Sequence, residues 1–238
     1  MIYTLEASAV CDIGATRIVN QDNIVLGNTF LEEGCKHFIT SVKTVPAHFL
    51  VGVFDGLGGE QCGEHAAYIA AETAASMPET TEQPFLHSIC MTANERICSY
   101  MTEHHVRSMG TTAAMLLFTE NSIYGCSIGD SKILLYRDGR LSQVSDDDYL
   151  YVEGDKKPPL SQCLGIPQTE MLIEPHLYEF DYRIGDRWIL CSDGLTDMVP
   201  AECTYGIINK EGVAVDLADE ALRRGGKDNV SIITIYVV

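Results

Sequence analysis

The stretch FLVGVFDGLGG, Phe49 to Gly59, decides the reading of the fold. A run of apolar and β-branched residues stops abruptly at Asp55-Gly56 and a glycine-rich turn, so a carboxylate is delivered at the end of a buried strand. Three later stretches repeat the arrangement. SIYGCSIGDS puts Asp130 after an apolar run, RWILCSDGL does the same for Asp193, and GGKDNVSIITIYVV starts a terminal run at Asp228. One aspartate-glycine pair is only a turn former, and Asp138-Gly139 is such a case, lying inside a two-residue hairpin signal. Asp55, Asp193 and Asp228 differ because long apolar runs flank them, which holds their carboxylates at the rim of a buried sheet. Several acids there repel one another unless a cation binds them.

Outward from that stretch, Tyr3 to Val10 reads as a strand leading into a turn at Gly14 and the polar loop Arg17 to Asn23. Short strands follow at Ile24 to Leu26 and Phe38 to Val42, with LEEGCK between them as a turn. Beyond the glycines, Glu60 to Met77 is alanine-rich with one apolar helical face, so close packing against a neighbour is expected. Pro78 ends that helix and Thr80 or Thr81 caps the next. In the second helix Phe85, Ile89, Ala93, Ile97 and Met101 recur at every fourth position. The runs TTAAMLLFT, SIYGCSI, KILLYR and RLSQV predict an antiparallel meander. The polar segment 146–159 reads as an exposed loop or small lobe outside the core. MLIEPHLYEF and RWILCS read as strands, 200–209 and 213–224 as helices, the latter stopped by Gly225-Gly226, and Val230 to Val238 as the last strand. This order favours an α+β fold with antiparallel sheets and helices outside them, in one domain over 1–238.

With 34 Asp and Glu against 16 Lys and Arg, the net charge of -18 argues against a nucleic acid or an anionic membrane as partner. Nine cysteines without a CxxC pair or zinc-finger spacing read as reduced, mostly buried thiols. Together with the absence of a signal-like or membrane-spanning run, this predicts a cytoplasmic soluble protein, taken as a monomer.

Carboxylate and carbonyl oxygens without histidine or thiolate suit hard ions such as Mg²⁺ or Mn²⁺. Two such ions roughly 3.5–4 Å apart can hold a bridging hydroxide for in-line attack at phosphorus. Arg17, whose fork can grip phosphate oxygens in a bidentate manner, is the best-placed cation.

Six motifs in order give the chain a likeness over nearly its whole length. Arg17-Ile-Val-Asn-Gln-Asp22, Val53 to Gly59, Gly110-Thr-Thr-Ala113, Gly129-Asp-Ser-Lys132, Ser192-Asp-Gly-Leu195 and Asp228-Asn-Val-Ser231 resemble the metal-dependent Ser/Thr protein phosphatases of type 2C, in their compact bacterial form. The resemblance implies a four-layer α-β-β-α sandwich of two mainly antiparallel sheets flanked by antiparallel helix pairs. It implies hydrolysis of phosphoserine and phosphothreonine on phosphoproteins modified by a Ser/Thr kinase, with two or three Mn²⁺ or Mg²⁺ ions. By the same likeness Asp55 bridges two metals, the Gly56 carbonyl binds one, Asp193 and Asp228 complete the other, and Asp22 acts directly or through water. Asp130, with Asp197, would serve a third metal, Arg17 would grip the phosphate, and the glycines after Asp55 would let it approach closely. Three departures stand out: Leu57 replaces the histidine of many animal and plant members, the flap-like segment 145–164 is short, and Lys132 stands where arginine is commoner. Leucine cannot donate a proton to the leaving alkoxide.

Two other enzyme readings compete. Gly56-Leu-Gly-Gly59 between strand and helix invites nucleotide binding, but position 61 is Gln61 where the dinucleotide fingerprint needs glycine, and no P-loop lysine follows. Cys11 to Arg17 fits the Cys-x-x-Gly-x-x-Arg spacing of cysteine-dependent phosphatases, though Asp12 and Val10 are poor neighbours for a reactive thiolate. A non-enzymatic module binding metal or phosphoprotein without turnover is the third alternative, with only Leu57 in its favour.

Overall fold

Strands alternating on two faces and helices apolar on one stripe build the molecule in four layers. The computed structural model describes residues 3–45, 48–57, 62–77, 84–150 and 158–238. In chain order the strands β1 (Leu5–Asp12), β2 (Asp22–Leu26), β3 (Thr29–Phe30), β4 (His37–Thr44) and β5 (Phe49–Asp55) precede the helices α1 (Gly63–Ser76) and α2 (Pro84–His104). Then come β6 (Ala113–Phe118), β7 (Ile123–Ile128), β8 (Lys132–Arg137), β9 (Arg140–Gln143), β10 (His176–Phe180) and β11 (Arg187–Cys191). The helices α3 (Asp193–Thr196), α4 (Ala201–Asn209) and α5 (Ala214–Arg223) and the strand β12 (Val230–Val237) close the order.

These strands form two six-stranded sheets, ordered β4-β1-β12-β11-β8-β9 and β10-β7-β6-β5-β2-β3. Every pairing between the described strands is antiparallel. Period-2 alternation assigns the faces. Val51 and Val53 of β5 meet Trp188, Leu190, Ile233 and Ile235 of the opposite sheet in the central core. Leu50 and Phe54, on the other face of β5, pack under α1 and α2. Val10, Ile189 and Ile232 do the same under α4 and α5. The alanines of α1 act as predicted: Ala66, Ala67, Ala70, Ala71 and Ala74 are all buried, so the helix backbone can lie close to the sheet. Among the described residues no helix is long and apolar enough to cross a membrane.

Several expectations need correction. The four strands after Gly110 do not form one meander: β6 and β7 pair in one sheet, β8 and β9 in the other. The chain changes sheets at Gly129, whose φ of 92° lies in the left-handed region, and where a Cβ would stand 2.7 Å from Thr112 Cγ2. Sheet crossing requires that glycine, and the crossing leaves Asp130 between the sheets. The segment 146–159 is not wholly outside the core either. Asp148 is buried, with its carboxylate accepting from Gly129 N and from Gln162 Nε2 and standing 2.9 Å from His176 Nε2. Of MLIEPHLYEF only His176–Phe180 is strand. Pattern reading missed β3 and α3, both too short to show a period. The parts of those readings that fall on Gly58, Gly59, Glu60, Gln61, Pro78, Thr80, Thr81 and residues 151–157 lie outside the described residues.

Trp188 is fully buried, and its indole Nε1 has no hydrogen-bond partner among the described residues. An unpaired buried donor carries its whole desolvation cost, which offsets part of what the ring's burial contributes. Trp188→Ala should therefore cost about 3–5 kcal/mol, as for other large core truncations. Trp188→Phe, which removes the orphan donor and keeps an aromatic ring, should cost less than half as much in urea unfolding at unchanged slope.

Candidate active site

Asp22 and Asp55 are partners in the β2–β5 ladder, directly opposite one another. Both occupy the strand face that turns Ile24, Val51 and Val53 into the space between the sheets. Opposed residues of an antiparallel pair bring their Cβ atoms to about 4.5–5.5 Å, so two carboxylates meet here at the open end of the core. From the other sheet, Asp193 enters as the first residue of α3 directly after β11, and Asp228 precedes β12. Asp130 comes from the crossing between β7 and β8. A cleft of about 390 Å³ is lined by Arg17, Asp55, Gly56, Asp130, Asp193 and Asp228, with Leu57, Gln21 and the segment Pro158 to Leu160 completing its walls. Four of the six acids expected from the sequence thus share one cavity. Asp22 is buried behind it, and Asp197 caps the C-terminus of α3 without lining the cleft.

Hydrogen bonds to the backbone fix the frame. The Asp55 carbonyl accepts from Thr112 N at 2.9 Å and from Thr111 Oγ1 at 2.9 Å, while Asp55 N donates to Thr112 Oγ1 at 3.1 Å. Ser192 Oγ donates to Asp22 Oδ2 at 2.9 Å and accepts from Ser231 N, joining the two sheets behind the acids. Asn229 ties down the loop that carries Arg17. Its Oδ1 accepts from Gln21 N, and its Nδ2 donates to Ile13 and Val19 carbonyls. Neither Asn229 nor Tyr149, which donates to Asp130 Oδ2 at 3.2 Å, was singled out beforehand as a support. For Asn229 the signal was available in Asp228-Asn-Val-Ser231; for Tyr149 the sequence offers none.

Gly56 also has a structural use. A Cβ there would meet Gly63 O at 2.3 Å and Gln21 O at 2.5 Å, so the missing side chain lets three backbone segments cross. Gly58 and Gly59 lie outside the described residues.

Burial and the neighbouring acids raise the pKa of Asp22 and Asp55. Burial first, then Asp193 and Asp228, push the Asp22 carboxyl up to about 7, against the hydrogen bonds from Ser231 and Ser192. Asp55 is pushed well above the usual carboxylate range by burial and then by Asp22, Asp193, Asp130 and Asp228. Among the described residues that line the cleft only Arg17 carries positive charge, and its Nη2 donates to Asp228 Oδ2 at 2.7 Å. With side chains 40% and 34% exposed, that pair contributes about 0.2–1 kcal/mol and is easily exchanged for a stronger anion.

This donor set fits hard divalent ions: oxygen ligands only, crowded, and short of positive charge. Among the described residues no three His, Cys, Asp or Glu side chains stand close enough together to close on one ion, and Asp228 is turned to Arg17. Water would then fill much of each shell, as Mg²⁺ prefers. The cysteine alternative fails on geometry. Cys11 is fully buried, its Sγ accepts from Asn20 Nδ2 and Ser231 Oγ, and burial raises its thiol to about 12, the opposite of an activated thiolate.

The chain matches the family described as Protein phosphatase 2C over residues 35–224, a span that excludes Arg17, Asp22 and Asp228. It is 32% identical over 211 residues to the serine/threonine protein phosphatase PstP of Mycobacterium tuberculosis, covering 79% of this chain and 40% of PstP. The chain thus spans less than half the length of that relative. With the serine/threonine phosphatase Stp of Listeria monocytogenes it shares 26% over 210 residues, or 78% of this chain and 83% of Stp. The crystal structure of the PstP catalytic domain in complex with two manganese ions superposes with a TM-score of 0.79 at 28% identity, covering 99% of both chains. In sequence and in fold, this chain belongs to the protein phosphatase 2C family.

Proposed function

We propose that this chain hydrolyses phosphoserine and phosphothreonine monoesters on proteins, using two or three Mn²⁺ or Mg²⁺ ions held by Asp22, Asp55, the Gly56 carbonyl, Asp130, Asp193 and Asp228. One observation carries the reading: acids from both sheets and a single arginine meet in one cleft. Bound Mn²⁺ or Mg²⁺ supplies Lewis acidity and lowers the pKa of water to make the nucleophile. The chain's own part is positioning. Asp55 and Asp22, fixed across a ladder, set the spacing, and Arg17 leaves Asp228 to take the phosphate oxygens with its planar fork. Among the described residues no histidine lines the cleft, and Leu57 has no proton to give, so the leaving alkoxide takes its proton from water. The two-manganese complex of the PstP catalytic domain supports the metal count. Nine free cysteines support a reducing, cytoplasmic setting, where the substrates would be proteins modified by a Ser/Thr kinase.

Hydrolysis of p-nitrophenyl phosphate should require Mn²⁺ or Mg²⁺ and stop with EDTA. Asp193→Asn should lower the rate by about 10²-fold or more, and Arg17→Ala should lower kcat/KM by about 10²-fold. Cys11→Ser should keep its metal dependence. A native chain inactive with both metals sinks the hydrolytic reading.

A second test needs no turnover. Between the ordinary carboxylate value and about 7, folded Asp22 holds a proton that the unfolded chain has released. Its contribution to stability therefore falls as pH rises through that window. The metal-free protein should unfold at lower urea concentration at pH 8 than at pH 5.5, with a smaller difference in Asp22→Asn. Mn²⁺ should stabilise most at pH 8.

A further inference from the structure

Leu57 lines two cavities at once. It forms part of the carboxylate cleft, and it also walls a second pocket of about 170 Å³ together with Met101, Met109, Cys163, Ile166 and Pro167. Arg107, Ser108 and Glu170 are the polar residues of its lining among those described.

The second pocket is held in shape by buried polar contacts. Asn94 of α2 is 1% exposed. Its Oδ1 accepts from Gly165 N at 2.7 Å and Ile166 N at 3.1 Å, and its Nδ2 donates to Ile166 O at 3.0 Å. Thr111 and Leu164 exchange both backbone hydrogen bonds, at 3.1 and 2.9 Å. At Gly110 a Cβ would stand 2.9 Å from Leu164 O and 3.1 Å from Leu57 Cδ1, so only glycine leaves this junction unobstructed. The same few residues serve the cleft: Thr111 and Thr112 hold the Asp55 carbonyl, and Leu57 N donates to Gly110 O at 3.0 Å. Cleft and pocket therefore keep a fixed separation of one leucine side chain.

We propose that this pocket is a subsite for an apolar side chain of the phosphoprotein, one or two residues from the phosphorylated Ser or Thr. The inference rests on the phosphatase reading above and adds a sequence preference to it. A phosphate seated at Arg17 and Asp55 leaves its peptide to cross Leu57, and the first apolar side chain beyond it drops among Met101, Met109 and Ile166. Arg107 and Glu170 both edge this pocket, so the peptide beside that side chain meets charge of either sign and the apolar side chain sets the preference.

A panel of phosphothreonine peptides, carrying leucine in turn at each of the two positions before and after the phosphoresidue in an alanine background, tests this. One position should raise kcat/KM by about tenfold or more over the all-alanine peptide. Ile166→Asp should abolish that gain while changing p-nitrophenyl phosphate hydrolysis by no more than about twofold, since the small substrate reaches only the cleft. Ile166→Ala, a milder change, should move the preference from leucine towards phenylalanine. Equal rates for all peptides, or an unchanged leucine preference in both variants, overturn the subsite. Anisotropy of the labelled peptides read without turnover separates the two claims. A leucine preference in binding with no hydrolysis defeats only the enzymatic reading; hydrolysis of p-nitrophenyl phosphate with no preference at any position defeats only the subsite.

Discussion

Asp22 and Asp55 face each other across two neighbouring strands, and like charges so placed are destabilising in any sheet. The rest of the structure is arranged to hold that repulsion. Buried aliphatic side chains on the same faces fix the strands in register, because a one-residue slip would send Val51 and Val53 out of the core and Asp55 with them. Two sheets then close over the pair, so that Asp193 and Asp228 arrive from the opposite side and compound the charge. Folding stability is drawn from the two helix-covered faces and the central layer, and it is concentrated away from the acids. A site so built holds carboxylates in mutual repulsion, and a cation placed among them would relieve it.

Support for the acids comes from short polar side chains in the backbone ladder. Thr111, Thr112 and Asn229 bond to main-chain groups of the cleft residues Asp55 and Gln21, and Ser192 links the Asp22 carboxylate to Ser231 N. Hydroxyl and amide groups can do this inside the core without adding charge, and each satisfies a backbone donor or acceptor that would otherwise be buried unpaired. Arg17 is treated in the opposite way. Its loop is tied down by Asn229, yet its side chain stays half-exposed with a weak ion pair, so position is fixed and binding capacity is kept.

Strands with long apolar runs were legible in the sequence, and so were both helix pairs, because period-2 and fourth-residue spacing survive any tertiary context. The acids at strand ends were legible for a related reason: a charge that interrupts an apolar run needs an explanation. What pattern could not give was partnership between sheets. KILLYR and SIYGCSI read as neighbours in one meander, since nothing local distinguishes a hairpin from a crossing, and only the left-handed φ at Gly129 separates them. Asp148 and Tyr149 lie in a polar run that reads as solvent-exposed; the burial of Asp148 and the hydrogen bond from Tyr149 depend on Gly129 and Asp130, which lie nearby only after the crossing. The structural use of Gly56, whose absent side chain lets backbone segments cross, likewise leaves no local mark in the sequence.

Leu57 brings these threads together. A proton donor at that position would sit at the edge of a cleft already crowded with carboxylates, where its pKa would be set by their charge. Leucine gives up that function, and the chemistry shifts to the metals and to water. In exchange an apolar side chain at the same position completes the wall of the neighbouring pocket, which a charged or polar ring would wet. Gly110 leaves room for that side chain, since a Cβ there would stand 3.1 Å from Leu57 Cδ1. Acid–base assistance and apolar recognition thus compete for one residue, and leucine can serve only the second.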